Sequence, residues 1–95
     1  MNSLPHDIPP EQSLIEYPCR FPIKVMGANT EEFISAMLSL AACFEPGFDA
    51  NSVERRPSKA GNYMGLTLTL YVTSREQLDE MYRTLSTHPL VKYTL

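Results

Sequence analysis

The sequence predicts an α+β domain in which four strands and two helices follow the order β-α-β-β-α-β. Three observations carry this. The run Asn62 to Val72, NYMGLTLTLYV, puts Leu66, Leu68, Leu70 and Val72 on one side of an extended chain and Thr67, Thr69 and Tyr71 on the other, the period-two pattern of a strand buried on one face. On either side of it in sequence, Phe33, Ile34, Met37, Leu38, Ala41 and Phe44, and then Leu78, Met81, Tyr82 and Leu85, recur at spacings of three and four, as in amphipathic helices laid on a sheet. Shorter extended runs precede the first helix, follow it, and close the chain.

Taken in order, residues 1–20 hold Pro5, Pro9, Pro10 and Pro18 with no sustained period and predict a flexible arm, leaving 21–95 as one domain. Within the arm, Gln12 to Tyr17 reads as a helical turn whose Leu14, Ile15 and Tyr17 dock on the domain or a partner chain. Phe21 to Met26 reads as the first strand, ended by Gly27. Asn29 or Thr30 caps the first helix, Glu32 standing three after Asn29 as in a capping box, and Pro46 and Gly47 stop it. Ser52 to Pro57 is a charged strand suited to a sheet edge, where charge discourages pairing with other chains. A hairpin at Ser58 to Gly61 leads into the long strand. Ser74 with Gln77 opens the second helix, and Leu90 to Leu95 is the last strand, with Val91, Tyr93 and Leu95 on one face and Lys92 and Thr94 on the other.

This order is that of the ferredoxin-like βαββαβ two-layer sandwich. Right-handed crossovers place the first and third strands at the centre of an antiparallel sheet and both helices on one face. The other face is left open to Lys24, Met26, Thr67, Thr69, Tyr71, Lys92 and Thr94, joined by Glu54 and Arg56 if Val53 points inward. That mixture is too apolar for plain solvent and too polar for a core, which is the texture of a contact surface.

Composition narrows the function classes. With 11 acidic and 8 basic side chains in 95 residues the formal charge is −3, which weighs against a general polyanion or membrane-surface binder unless a local basic patch overrides it. The length allows one domain of thin stability margin, which dimerisation would widen. Cys19 and Cys43 form no CxxC or Cys/His pairing, so neither a disulfide framework nor a zinc site is expected, and reduced thiols point to the cytoplasm. No apolar run approaches the length of a membrane span, and the N-terminus lacks the pattern of an export signal. Neither His6 nor His88 has a neighbouring nucleophile or carboxylate that defines a catalytic dyad, so no enzyme, metal or cofactor is expected. Cys43, between Ala42 and Phe44, reads as a small buried hydrophobe. Cys19 beside Arg20 is the better placed of the two thiols for reactivity.

The candidate binding residues gather at the basic hairpin and the open face. Arg56, Ser58, Lys59, Gly61, Asn62 and Tyr63 surround a turn in which Gly61 supplies a positive φ and closely spaced N–H groups form an anion nest. The plainer account is that Gly61 and Asn62 make the turn while the cations solubilise an edge. SKAGN lacks the spacing of a phosphate-binding loop. Lys24, on a central strand, is either a partly desolvated charge or a side chain whose stem covers apolar surface. Tyr71 offers a ring to a nucleic acid base, but the first strand provides no second aromatic on that face, so nucleic acid is not the expected partner.

The motifs FPIKVMG at Phe21 to Gly27 and RPSKAGNY at Arg56 to Tyr63 resemble those of the YbeD-like family of small bacterial proteins. The resemblance covers about residues 17–95. It implies a ferredoxin-like domain similar to ACT regulatory domains and a link to lipoate metabolism suggested by genomic context. It draws attention to Phe21, Lys24, Gly27, Pro57, Ser58, Lys59, Gly61, Asn62 and Tyr63 without assigning them roles. Ala60 makes the hairpin loop a residue longer than in the shorter members. Together these readings predict a non-catalytic regulatory or adaptor domain, dimeric through an edge strand or the open face, that binds a small anionic metabolite. The alternative is an interaction module that takes an acidic partner protein through the basic hairpin and the open face.

Overall fold

A computed structural model of the chain describes residues 15–95. The expected arm falls largely outside them, as do His6, Leu14 and most of the expected turn at 12–17. Four strands, β1 (Cys19–Ala28), β2 (Glu54–Pro57), β3 (Tyr63–Val72) and β4 (Val91–Thr94), and two helices, α1 (Glu31–Phe44) and α2 (Arg75–Ser86), follow the expected order. The sheet is antiparallel with the order β2-β3-β1-β4, so the long strands β1 and β3 are central. This is the ferredoxin-like α+β sandwich.

The alternation of β3 is realised without interruption. Leu66, Leu68, Leu70 and Val72 are buried and meet Ile23, Val25, Phe33, Met37, Met81 and Leu85 in one core. β1 begins two residues earlier than expected, at Cys19, because Cys19 and Arg20 pair with Val72 and Tyr71 at the end of the longer strand. Ahead of it, Ile15 and Tyr17 pack against the core, the first of the two dockings expected, but the described residues 15–17 form no helical turn. Each helix starts at a hydroxyl cap: Thr30 Oγ1 accepts from the Phe33 amide at 3.1 Å and Ser74 Oγ from the Gln77 amide at 3.1 Å. Asn29 does not cap α1. Its side-chain amide instead donates to the Gly61 carbonyl at 3.0 Å, tying the start of α1 to the hairpin. On α2, Tyr82 is half-buried and its hydroxyl donates to the Leu95 carbonyl at 3.1 Å. Burial raises its pKa above the usual phenol value.

Two expectations are corrected here. Cys43 is exposed, because it follows the buried Ala41 by two residues and so turns about 200° around the helix from the buried stripe. In β4 the expected alternation holds at Val91 and Lys92 and is reversed from Tyr93 onward. The register pairs Val25 with Thr94 and Met26 with Tyr93, but Gly27 with Val91. Lys92 is the extra residue of a β-bulge, which shifts the alternation by one position. Thr94 therefore falls on the side of the buried Val25, and Tyr93 and Leu95 join the open face instead of the core. Lys92 stays on the open face as expected, its ammonium 5.9 Å from the centre of the Tyr63 ring.

Candidate binding surface

Pairing register fixes which side chains share the open face. Arg56 pairs with Gly65, Gly65 with Met26, and Met26 with Tyr93, giving a row that crosses all four strands. In the next row Glu54 pairs with Thr67 and Thr67 with Lys24, and Lys24 exchanges backbone hydrogen bonds with Leu95 at 2.8 and 3.3 Å. Val53 packs against the core, which fulfils the condition for Glu54 and Arg56 to face outward. Between the rows lies a concavity of about 410 Å³. Its cause is local: Gly65 places no side chain at the middle of the first row, and the Met26 methyl lies where a Cβ on Gly65 would stand 3.3 Å from it.

Charge is unevenly distributed about this fold. The two helices carry Glu31, Glu32, Glu76, Asp79 and Glu80 against Arg75 and Arg83, and both arginines form ion pairs within α2, with Asp79 and Glu80. The open face carries Arg20, Lys24, Arg56 and Lys92 against Glu54, all exposed. Among the described residues, Lys24, Arg56 and Lys92 make no ion pair. The net charge of −3 thus conceals a basic sheet face backed by an acidic helical layer. Large apolar groups lie among these cations: Tyr63, Tyr71, Tyr93 and Leu95 are all exposed, Leu95 by 70%.

Of the expected site residues, Lys24 and Arg56 come together at the concavity. Tyr63 and Tyr71 lie at opposite ends of β3, about 27 Å apart at the usual strand rise, each ring attended by a cation, Lys92 and Arg20 respectively. The hairpin is mostly occupied with itself. Gly61, at φ +82°, donates its amide to the Ser58 carbonyl at 2.9 Å. The Tyr63 amide donates to Ser58 Oγ at 3.0 Å, and the Ser58 amide to the Tyr63 carbonyl at 2.9 Å. The Asn62 carbonyl accepts from the Asn29 amide at 3.0 Å. Ser58, Gly61 and Asn62 are thereby accounted for by the turn and its link to α1, and the amides of Gly61 and Tyr63 are already spent. Lys59 remains exposed at its tip.

Sequence reasoning missed Glu45. β2 pairs only as far as Thr67, so β3 runs on with an uncovered edge, and the Glu45 carboxylate fills part of it. Glu45 Oε1 accepts from the Tyr71 amide at 2.8 Å, and Oε2 lies 3.1 Å from the Arg20 guanidinium, which in turn stands 5.7 Å from the Tyr71 ring centre. The Glu45 side chain is 18% exposed. Glu45→Ala is expected to cost about 1 kcal/mol in urea unfolding, mostly from the edge amide that loses its charged acceptor, since the Arg20 side chain, 61% exposed, is hydrated once its partner is gone. Glu45→Gln, which keeps an oxygen for the Tyr71 amide, should recover part of that loss.

Of the described candidates for chemistry, His88 and Cys19, each is placed within the fold's own contacts. His88 Nδ1 accepts from the Leu90 amide at 3.1 Å within the turn before β4, and Cys19 lies half-buried in β1 opposite Val72. Among the described residues no group of three or more metal-ligating side chains gathers, and no helix is long and apolar enough to cross a membrane.

The geometry is that of a ferredoxin-like domain with a basic, partly apolar open face. A solved structure of the same fold is the solution structure of protein HP0495 from H. pylori, with a TM-score of 0.68 at 19% identity, covering 100% of this chain and 98% of that one. A family model described as a protein of unknown function, DUF493, matches residues 12–95, and the chain belongs to this family, the YbeD-like family that its FPIKVMG and RPSKAGNY motifs resemble. A UPF0250 protein of Leptothrix cholodnii is 62% identical over 89 residues, covering 94% of this chain and 98% of the relative. A UPF0250 protein of Bordetella pertussis is 59% identical over 90 residues, covering 95% of this chain and 99% of the relative.

Proposed function

We propose that the protein is a non-catalytic regulatory or adaptor domain that binds an anionic ligand on its open sheet face. The observation that carries this reading is the segregation of charge. Lys24, Arg56 and Lys92, none of them ion-paired among the described residues, share the face that also bears a 410 Å³ concavity, while the helical layer is acidic. Cations left unneutralised beside exposed aromatic and aliphatic groups attract and orient an anion that also has apolar surface to bury. Either a small anionic metabolite at the concavity or an acidic partner protein meets these requirements. The breadth of the basic surface, which reaches from β2 across to β4, favours the partner.

The same charge opposes a homodimer joined face to face, because each copy would present its cations to the other's. Self-association, proposed from the size of the chain, is therefore assigned to an edge strand. The cytoplasm is the proposed location, on the strength of the unpaired cysteines. Affinity capture from native cell extract tests the reading, with wild type compared against Lys24→Glu/Arg56→Glu and both proteins and small molecules identified. Loss of an anionic species in the variant is expected; an unchanged set of captured species would contradict it.

A further inference from the structure

The two rows that cross the sheet impose a length and a pattern on what can lie over them. Resting on the reading of the open face as an anion site, we propose that its ligand is an extended peptide segment of a partner protein carrying an acidic, an apolar and an acidic residue at alternate positions, Glu-x-apolar-x-Glu, and lying across the strands. Four strands span about 14 Å from β2 to β4. The first, third and fifth residues of an extended peptide point the same way and span about 13 Å. The first carboxylate then meets Arg56 on β2, and the last reaches Lys92 on β4, with Lys24 in the adjoining row between them. The central apolar side chain enters the gap left by Gly65, against Met26, Tyr93 and Leu95.

Several features favour this occupant over others. A second copy of the face brings like charges together. A single-stranded nucleic acid needs neighbouring exposed rings for successive bases, whereas Tyr63 and Tyr71 stand at opposite ends of β3, each with a cation at its ring, and the third exposed ring, Tyr93, is on β4, about 10 Å from β3 across β1. A small inorganic anion gains nothing from the exposed Leu95 and Tyr93. The β4 bulge has a role in recognition as well, since it puts Lys92 and Tyr93 on the same face and so supplies charge and apolar contact side by side.

The test is an NMR titration of the isotopically labelled full chain with the end-blocked peptide Glu-Ser-Val-Ser-Glu. Matched peptides carry Gly in place of Val or Lys in place of both Glu, and pentathymidine and inorganic pyrophosphate complete the set. Shifts at Lys24, Met26, Arg56, Lys92 and Tyr93 are expected with the first peptide. The Gly peptide should bind at least about tenfold more weakly, as loss of a buried valine implies, and the Lys peptide should not bind. Leu95→Ala, which alters a side chain exposed by 70%, should weaken the Val peptide but leave the Gly peptide unchanged. Equal binding of the Val and Gly peptides would overturn this proposal while leaving an anion site standing. Pentathymidine or pyrophosphate binding the same residues more tightly than the Val peptide would overturn it in favour of nucleic acid or a small anion. No shift on the face with any anionic probe would remove both this proposal and the reading beneath it.

Discussion

Replacing Gly27 by alanine is expected to lower the unfolding free energy by about 3 kcal/mol, the upper part of the range for overpacking a core. Gly27 is buried under the Phe33 ring, and a Cβ there would overlap that ring and stand 2.7 Å from the Leu90 carbonyl oxygen. The ring can turn aside at some cost in packing. The Leu90 carbonyl cannot, because it belongs to the turn that delivers the chain into β4, held by the Val91 amide donating to the His88 carbonyl at 3.0 Å. The substitution should therefore displace β4 as well as destabilise the domain. Urea unfolding reads the first effect, and the amide shifts of Lys92 and Tyr93 read the second. Phe33→Leu in the same background should relieve part of the loss if the ring contributes to the clash. The prominence of Gly27 in the FPIKVMG motif thus has a packing explanation that calls for no ligand.

Leu68→Ala is expected to cost about 2–5 kcal/mol, as for other fully buried leucines that leave a cavity. Leu68 has no exposed surface and sits at the middle of β3, opposite Ile23 of β1. A domain of this length has a total stability of roughly 5–14 kcal/mol, so one methyl-rich side chain carries a large share of it. Thr67→Ala, one residue away and turned to the open face, should change stability by no more than about 0.5 kcal/mol. Thermal unfolding of the pair separates the two faces of one strand, with a drop of about 4–8 °C per kcal/mol for a domain this size. A large loss at Thr67 would mean that the open face is covered in solution by something that contributes to folding.

What was legible in the sequence was whatever depends on a local period. The alternation of β3, the two helical stripes and the hydroxyl at Ser74 each involve residues within a turn or two of one another, and each appears where the spacing puts it. Long-range register was not legible. The β4 bulge, at the register shift between Met26 and Gly27, leaves no mark in the local period, so the sequence alone puts Tyr93 and Leu95 on the core side and Thr94 on the open face. Asn29 resembles a cap until the hairpin brings the Gly61 carbonyl within reach. Glu45 reads as one more helix-end carboxylate, and only the shortness of β2 gives it an edge amide to hold. The concavity had a visible signal, a glycine inside a strand at Gly65, but its meaning required knowing that Met26, Arg56 and Tyr93 share its row. The basic face was half visible. Lys24 and Arg56 are assigned to it by the period of their strands, while overall acidity masks it until the fold sets Glu31, Glu32, Glu76, Asp79 and Glu80 on the helical layer behind it.

On the proposed reading, the open sheet face, not the molecule's net charge, decides what it binds. Fluorescence anisotropy with labelled poly-glutamate tests it most directly, using wild type, Lys24→Glu/Arg56→Glu/Lys92→Glu, and a helix-layer variant, Glu76→Lys/Asp79→Lys. Wild type should bind despite its acidity, less tightly as salt is added. The sheet-face variant should lose binding without a change in melting temperature, and the helix-layer variant should bind about as wild type does. Equal binding by wild type and the sheet-face variant, or a gain confined to the helix-layer variant, would mean that the open face does not select the ligand.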